Sequence, residues 1–237
     1  ISTGTKLISS TEAQELADAT EKSHAVLMVG FMKRYAPCYQ KLKSLVDTQE
    51  LGRARSFQAN FCVNGTAFCK TEEDYIKLAA IHYVDLFRFL FGEVVGISGY
   101  KNVVGSLISQ CFTLKFENGV VGSVHFANET GWSRESENLT VTFENGFAAA
   151  EEINNVVIHR TSEFKGVPWQ NFSEEDTVFT TSMAPMSGTT RDLYMRGFAG
   201  EMQHFIDCCQ SGQEPLSSGA DNVKTMELCD RILNSLK

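Results

Sequence analysis

The sequence predicts an α+β protein: an open, mostly antiparallel sheet packed on one face by helices, preceded by a helix–strand–helix unit of the doubly wound α/β type. Three observations predict this class. Strand patterns joined by two Asn-Gly turns fill residues 107–151. A long helical pattern covers residues 71–92. A continuous apolar run, residues 25–31, lies between two helical patterns.

The first unit covers residues 1–51. Residues 10–23 predict a helix capped by Ser10, and residues 35–46 predict another that starts near Pro37. Residues 25–31 show no alternation, which indicates a strand buried on both faces of a parallel sheet. A single parallel strand cannot form a sheet. We therefore expect this unit to be the end of a domain whose beginning is absent from the chain.

Residues 71–92 are the longest helical pattern. Thr71 suits the N-cap with Asp74 as its capping-box partner, and Gly92 stands where a left-handed C-cap would end the helix. One face carries residues at helical spacing, namely Tyr75, Leu78, Ala79, His82, Leu86, Phe89 and Leu90.

His82 and Asp85 are three residues apart, so helical geometry makes them neighbours. A titratable pair beside an apolar face has two interpretations. It is a core histidine tied to a carboxylate, or it is a site where the helix presents an acid–base group to a pocket. Taken alone, the residues favour the structural interpretation.

The sheet is predicted from short strand patterns after residue 52. The two hairpins carry the same turn, Phe-Glu-Asn-Gly, at residues 116–119 and 143–146, where both Asn and Gly accept positive φ. In residues 107–116 the even positions Ile108, Phe112, Leu114 and Phe116 are apolar and the odd positions are mixed, so one face is buried and the other is half polar. We expect about six strands, covered on one face by the helix at residues 71–92.

Residues 161–191 are rich in Ser, Thr and Gly, and we expect a long irregular excursion there. It is anchored by apolar side chains, namely Trp169, Phe172, Phe179, Met183 and Met186. Residues 194–211 and 220–236 predict two C-terminal helices. Residues 52–237 therefore form the second, α+β unit.

Composition excludes several classes of function. The net charge of −8, without a Lys/Arg cluster, disfavours a nucleic-acid partner. No apolar run reaches the length of a membrane span. The seven cysteines are scattered without a CxxC pair, and no histidines stand at metal-ligand spacing. We expect reduced thiols, a cytoplasmic location and no metal.

Four stretches carry a resemblance in a fixed order. They are residues 29–37 (VGFMKRYAP), residues 50–56, residues 81–86 (IHYVDL) and residues 197–215. In this order they resemble the glucose–fructose oxidoreductase / inositol dehydrogenase / MocA (Gfo/Idh/MocA) family of NAD(P)-dependent sugar and cyclitol oxidoreductases. The resemblance implies that a substrate hydroxyl loses its proton to a base while hydride leaves for the nicotinamide.

The resemblance implies roles for four residues. His82 is the catalytic, substrate-facing group, and its side-chain type titrates near neutral pH. Lys33 and Arg34 line the boundary between cofactor and substrate, the alternative being a solvated basic turn. Asp85 is assigned to substrate binding beside His82; it fixes the tautomer of His82 or caps a core contact. The order of motifs shifts our interpretation of His82 towards a substrate cleft.

The chain departs from the family pattern in three ways. It has no Gly-rich phosphate loop and no Glu-Lys-Pro lysine, and Leu78 stands where many members have an Asp four residues before the His. Residues 1–51 are therefore expected to be the C-terminal remnant of a Rossmann dinucleotide-binding domain. NAD or NADP would serve the full-length protein, none would bind to this chain, and the chain alone would be inactive.

The resemblance also implies a small-molecule partner, a sugar or cyclitol, and a homodimer or homotetramer formed through the open sheet face. A non-catalytic scaffold that dimerises through the same sheet is the alternative, and Leu78 favours it. A cysteine-dependent hydrolase is a third hypothesis, with one of the seven thiols as nucleophile.

Overall fold

The computed structural model describes residues 9–161, 176–181 and 188–237. Eight strands are described: β1 (Ala54–Val63), β2 (Val94–Val104), β3 (Leu107–Phe116), β4 (Val121–Asn128), β5 (Ser136–Phe143), β6 (Gly146–Glu151), β7 (Asn155–Arg160) and β8 (Thr177–Thr180). They form one open sheet in the order β2-β3-β4-β1-β5-β6-β7-β8. Among the described pairs only β1 and β4 run parallel. The predicted open, mostly antiparallel sheet is confirmed.

The sheet is larger than predicted. β8 lies within residues 161–191, which the sequence predicted to be irregular, and it pairs with β7. Its Phe179 is 45% exposed, with the Lys41 ammonium 4.8 Å from the ring centroid. β8 has only four residues and all are exposed, so its sequence shows no alternation of buried and exposed side chains that would predict a strand. The other predicted anchors of this stretch, namely Trp169, Phe172, Met183 and Met186, lie outside the described residues.

Both predicted hairpins are confirmed, but their turns differ from the prediction. Gly119 and Gly146 adopt positive φ, at +88° and +151°, whereas neither preceding Asn does. Asn118 instead uses its side chain: Nδ2 donates to the Phe91 carbonyl, and Oδ1 accepts from the Val120 N–H. These contacts hold the first turn against the end of the preceding helix.

The helices surround one face of the sheet. They are α1 (Ser10–Ser23), a 3₁₀ turn (Met32–Tyr35), α2 (Pro37–Thr48), α3 (Glu72–Tyr75), a π turn (Ile76–Ala80), α4 (Ile81–Phe91), α5 (Gly188–Met195), α6 (Phe198–Ser211) and α7 (Gly219–Ser235). The first helix is capped by Ser9, not by Ser10, in a capping box with Glu12. No helix in the described ranges has the length and apolar character that a membrane crossing requires.

The predicted strand at residues 25–31 is wrong. Met28 makes a single bridge with Ser218, and the rest of the run is not in regular structure up to the 3₁₀ turn. Val26 is 39% exposed. The physical reason is that the described residues provide no parallel strand to pair with this run, and an unpaired run cannot form a sheet.

Residues 72–91 form one continuous helical rod of α3, the π turn and α4. The predicted capping box is confirmed, since the Asp74 N–H donates to Thr71 Oγ1 and the Thr71 N–H to the Asp74 carboxylate. Gly92 has positive φ (+86°), but its ψ of −151° lies outside the left-handed helical region predicted for it. The π turn was not predicted; it adds one residue to a turn and offsets the helical face just before His82.

Aromatic side chains pack the rod on the sheet. Phe57 of β1 stacks on Phe91 with ring centroids 4.7 Å apart, and Phe87 lies parallel to Phe126 of β4. Gly122 makes the approach possible, because a Cβ there would meet the Phe57 ring at 2.1 Å. The prediction that this helix covers one face of the sheet is therefore confirmed.

The rod is buried nearly all round, whereas the sequence predicted one apolar face. From Tyr75 to Phe91 only Leu78, His82 and Phe89 are partly exposed. The helix lies between the sheet on one side and α2, the 3₁₀ turn and α7 on the others. The three partly exposed residues form a stripe, and this stripe brings His82 towards a surface.

Candidate active site

His82 is partly exposed, but one of its ring nitrogens is buried. Nδ1 has no hydrogen-bond partner among the described residues. The Phe31 ring meets the imidazole edge-on with centroids 6.2 Å apart. Burial lowers the pKa of His82 to about 4, helped by the charges of Lys33 and Arg196 and opposed by Glu137. The imidazole is therefore neutral at neutral pH and able to accept a proton.

Lys33 lies in the 3₁₀ turn and is buried against β5. Its Nζ is 2.5 Å from Glu137 Oε1, and the same oxygen accepts a hydrogen bond from the Tyr39 hydroxyl at 2.6 Å. The Tyr39 and Tyr83 hydroxyls are 2.8 Å apart, and Nζ stands 5.0 Å from the Tyr83 ring centroid. Burial alone would raise the pKa of Glu137, but Lys33 and Tyr39 hold it below its ordinary value.

Arg34 and Asp85 form a second buried pair. Arg34 Nε donates to Asp85 Oδ2 at 2.7 Å and Nη2 to Oδ1 at 2.5 Å, which is the two-pronged geometry of a guanidinium on a carboxylate. Thr225 of α7 donates to the same carboxylate, and Asp221 accepts from Arg34. These contacts tie the 3₁₀ turn to α4 and α7.

The four predicted site residues thus fall into two groups. The charge of Lys33 lowers the pKa of His82. Asp85 accepts hydrogen bonds from Arg34 and Thr225 and makes none with His82. Of the two alternatives for Asp85, the contacts favour the core contact. Direct binding of substrate by Lys33, Arg34 or Asp85 remains a prediction, since all three are buried and already paired.

Sequence reasoning missed the acidic residues nearby. Glu137 is buried at the start of β5, and Glu201 of α6 is buried with Oε1 unpartnered among the described residues. Burial, then the charge of Asp85, raises the pKa of Glu201 to about 7. A signal existed for Glu137, because it alternates with inward-facing Leu139 and Val141. It was missed because the strand was predicted to start at residue 139. No sequence pattern marks Glu201.

Two other chemistries find no support in the described part of the chain. No group of three or more His, Cys, Asp or Glu side chains there could hold a metal ion. Burial raises the pKa of Cys38 to about 12 and of Cys62 to about 11, the opposite of what a nucleophilic thiol needs.

Comparison with known proteins matches part of the chain to a family. Residues 39–149, which include β1, the helical rod and Glu137, match the family model described as the GFO/IDH/MocA C-terminal domain. On this match residues 39–149 are a GFO/IDH/MocA C-terminal domain. His82 and Glu137 lie within the matched residues, whereas Lys33, the partner of Glu137, precedes them.

Curated GFO/IDH/MocA-like relatives are distant. Scyllo-inositol 2-dehydrogenase (NAD(+)) of Bacillus subtilis is 21% identical, covering 95% of this chain and 65% of the relative. D-apiose dehydrogenase of Paraburkholderia graminis is 24% identical, covering 92% and 59%. The chain thus spans less than two thirds of the length of either relative. A crystal structure of a dehydrogenase from Chromobacterium violaceum shares the fold, with a TM-score of 0.81 at 16% identity over 97% of this chain and 66% of that one.

Proposed function

We propose that this chain supplies the substrate-binding and assembly part of an NAD(P)-dependent oxidoreductase acting on a CH–OH group of a sugar, sugar derivative or cyclitol. The family match supports the proposal, as do the scyllo-inositol and D-apiose dehydrogenases among its relatives. The observation that carries it is His82: an imidazole whose pKa is lowered by burial, on the partly exposed stripe of the helical rod.

His82 takes the proton from the substrate hydroxyl. A base must be unprotonated at the working pH and lie within hydrogen-bond reach of the proton, and the lowered pKa of His82 meets the first condition. Phe31 fixes the plane of the ring by its edge-on contact. The charges of Lys33 and Arg196 oppose an imidazolium, so the proton is held only briefly and passes on to water.

Lys33, Arg34 and Asp85 position the site in this proposal. The two buried ion pairs fasten the 3₁₀ turn to β5 on one side and to α4 on the other. Phe31, which contacts His82, immediately precedes that turn. A shift of the turn would therefore move both the aromatic wall and the nearest positive charge of the site.

The residues of this chain do not fit a dinucleotide on their own. Gly65 is the single glycine between β1 and α3, and the part of the chain described has no glycine-rich turn leading from a strand into a helix N-terminus. We place the cofactor in a longer protein, with residues 1–51 as the end of its dinucleotide-binding domain. The apolar run at residues 25–31, in which Ala25, Val26 and Gly30 are exposed, supports this, and the chain alone is expected to be inactive. We derive no step through the nicotinamide.

The open face of the sheet is the proposed assembly surface for a homodimer or homotetramer. It carries large exposed side chains near one edge, Tyr100 at 75% and Val104 at 68%. A non-catalytic scaffold using the same surface is the second candidate function. Leu78 in the π turn favours it, because an apolar side chain one turn before His82 cannot relay a proton.

The test is oxidation of sugars and cyclitols by the full-length protein that contains this chain. Purified protein is given NAD+ or NADP+ with myo-inositol, scyllo-inositol, D-apiose or D-glucose, and reduced cofactor is followed by absorbance. We expect turnover with at least one pair. If a folded protein turns over none of these substrates, the proposed oxidoreductase activity is contradicted and the non-catalytic scaffold becomes the better-supported function.

A further inference from the structure

A cavity of about 200 Å³ opens beside the Lys33–Glu137 pair. Its polar lining comes from β5 with the residue before it, the β6–β7 turn, and α5 with the residue after it: Glu135, Glu137, Glu152, Asn154, Arg191, Asp192 and Arg196. Glu137 of this lining pairs with Lys33, whose Nζ lies 5.0 Å from the ring centroid of Tyr83, the residue that follows His82. A cavity of this size suits part of a monosaccharide.

Glu137 lines this cavity and carries a buried carboxylate oxygen. Its side chain is 2% exposed; Oε1 is held by Lys33 and Tyr39, whereas Oε2 has no hydrogen bond from a described donor. An unpaired buried acceptor is costly, so a donor from a ligand would be favoured there. Beside Glu137 lies the carboxyl of Glu135, whose pKa is raised by burial, by the charge of Glu137 and by a hydrogen bond between the two carboxyl groups.

The charges around the cavity select its ligand. Four acidic side chains, those of Glu135, Glu137, Glu152 and Asp192, stand against two guanidiniums. Glu152 is already bonded by Ser136 and Asn138, which leaves the Glu135–Glu137 pair as the acceptors that face a ligand. A carboxylate or phosphate group would meet a net negative wall, whereas hydroxyl or ammonium groups would find acceptors.

The backbone at the rim of the cavity is strained. Glu152 and Ile153 adopt φ of +50° and +61° in the β6–β7 turn. A β-branched residue at positive φ is an outlier, and such strain concentrates at functional sites. The strained turn carries Glu152 and Asn154 into the cavity wall.

We propose that this cavity binds the end of the substrate remote from the reacting carbon, that Glu137 Oε2 and Glu135 accept hydrogen bonds from its hydroxyl or amino groups, and that the pair rejects sugar acids and sugar phosphates. This assignment rests on the proposed function and narrows its substrate to neutral or amino sugars and cyclitols. Lys33 then serves as the counter-ion that keeps Glu137 an acceptor.

The test measures ligand binding by the full-length protein, without turnover. D-Glucose and myo-inositol serve as neutral probes, D-glucosamine as the cation, and D-glucuronate and myo-inositol 1-phosphate as anions, each followed by saturation-transfer NMR up to about 10 mM, above the usual range of KM. We expect a neutral or cationic probe to bind at least about tenfold more tightly than either anion. Equal or tighter binding of an anion, or binding of no probe, would overturn the proposal.

Two variants locate the effect. Glu137→Gln puts an amide in place of the carboxylate that contains Oε2, and we expect binding of the best probe to weaken about 10- to 100-fold. Glu135→Gln keeps the Lys33–Glu137 pair, so it also guards against misfolding; we expect it to reduce the discrimination against anions about tenfold. Glu117→Gln removes one exposed charge in the first hairpin turn and should change neither quantity.

The outcomes separate this proposal from the proposed function. If neutral sugars or cyclitols bind selectively but no cofactor is reduced, the proposed oxidoreductase activity is contradicted and the proposal for the cavity stands. If cofactor is reduced but Glu135→Gln and Glu137→Gln keep the selectivity of the unaltered protein, the proposal for the cavity is contradicted and the oxidoreductase activity stands.

Discussion

Lys33 and Glu137 are 104 residues apart in the sequence, and they form a buried ion pair with Nζ 2.5 Å from Oε1. The pair joins the 3₁₀ turn to β5, and Lys33 Nζ lies 5.0 Å from the ring centroid of Tyr83, the residue that follows His82. Two buried charges pay a desolvation cost that only good geometry offsets, and here Tyr39 adds a further hydrogen bond to the same oxygen. The pair therefore fixes the charge of the site as well as its shape.

Loss of Lys33 alone should be strongly destabilising. Lys33→Met leaves Glu137 charged and buried, and we expect the free energy of unfolding to fall by about 3 to 5 kcal/mol in urea titration. The double variant Lys33→Met with Glu137→Met removes both charges and should recover most of the loss. Arg160→Met breaks the exposed pair with Glu50 and should cost less than about 1 kcal/mol. An equal, small loss in all three proteins would contradict a buried pair.

His82 should titrate far below an ordinary histidine. We expect a pKa of about 4 by NMR of the imidazole. The unfolded chain protonates His82 near 6.5, so this group makes the free energy of unfolding rise with pH between about 4 and 6.5.

Arg196 provides the matched test of that shift. Its charge helps to lower the pKa of His82, so Arg196→Gln should move the titration upward, whereas Arg191→Gln on the same wall should not. A His82 pKa near 6.5 in the unaltered protein would show that the imidazole is solvated.

Glu201 should make the protein less stable at higher pH. Its pKa is raised from 4.5 to about 7, so its stabilising contribution is complete below about pH 4.5 and is lost as the pH rises through about 7. Glu201→Gln removes this dependence. We expect the variant to gain about 1 to 3 kcal/mol relative to the unaltered protein between about pH 4.5 and pH 8.

The control for Glu201 is an exposed carboxyl on α7. Glu227→Gln removes one charge there and should leave the pH dependence of unfolding unchanged. If Glu201→Gln and Glu227→Gln behaved alike, the carboxyl of Glu201 would have to be solvated in the folded protein.

Sequence patterns predicted the elements well where local signals are strong. The capping box of Thr71 and Asp74, the two Gly-containing hairpins and the alternation of β3 all arise within a few residues, and each is present. The apolar run at residues 25–31 was misread because apolar character indicates burial and gives no information about a pairing partner.

The candidate site was only half predictable. The order of motifs predicts His82 as the catalytic residue, and this stays a prediction; its expected partner Asp85 bonds Arg34 instead. Spacing along a helix shows that two side chains are close to each other. It does not show whether a side chain from another element forms the hydrogen bonds instead. Glu137 reaches Lys33 from a strand 104 residues away, and no local pattern reports such a contact.

The central claim is that His82 takes the proton, and its most direct test is one substitution in the full-length protein. His82→Asn is compared with the unaltered protein and with His24→Asn, which changes a histidine at the positive-φ C-cap of α1, a position that Asn tolerates. With the substrate found active, we expect kcat for cofactor reduction to fall about 100- to 10,000-fold in His82→Asn and to be unchanged in His24→Asn. A kcat within about twofold of the unaltered enzyme in His82→Asn would contradict the assignment, since loss of a general base costs far more.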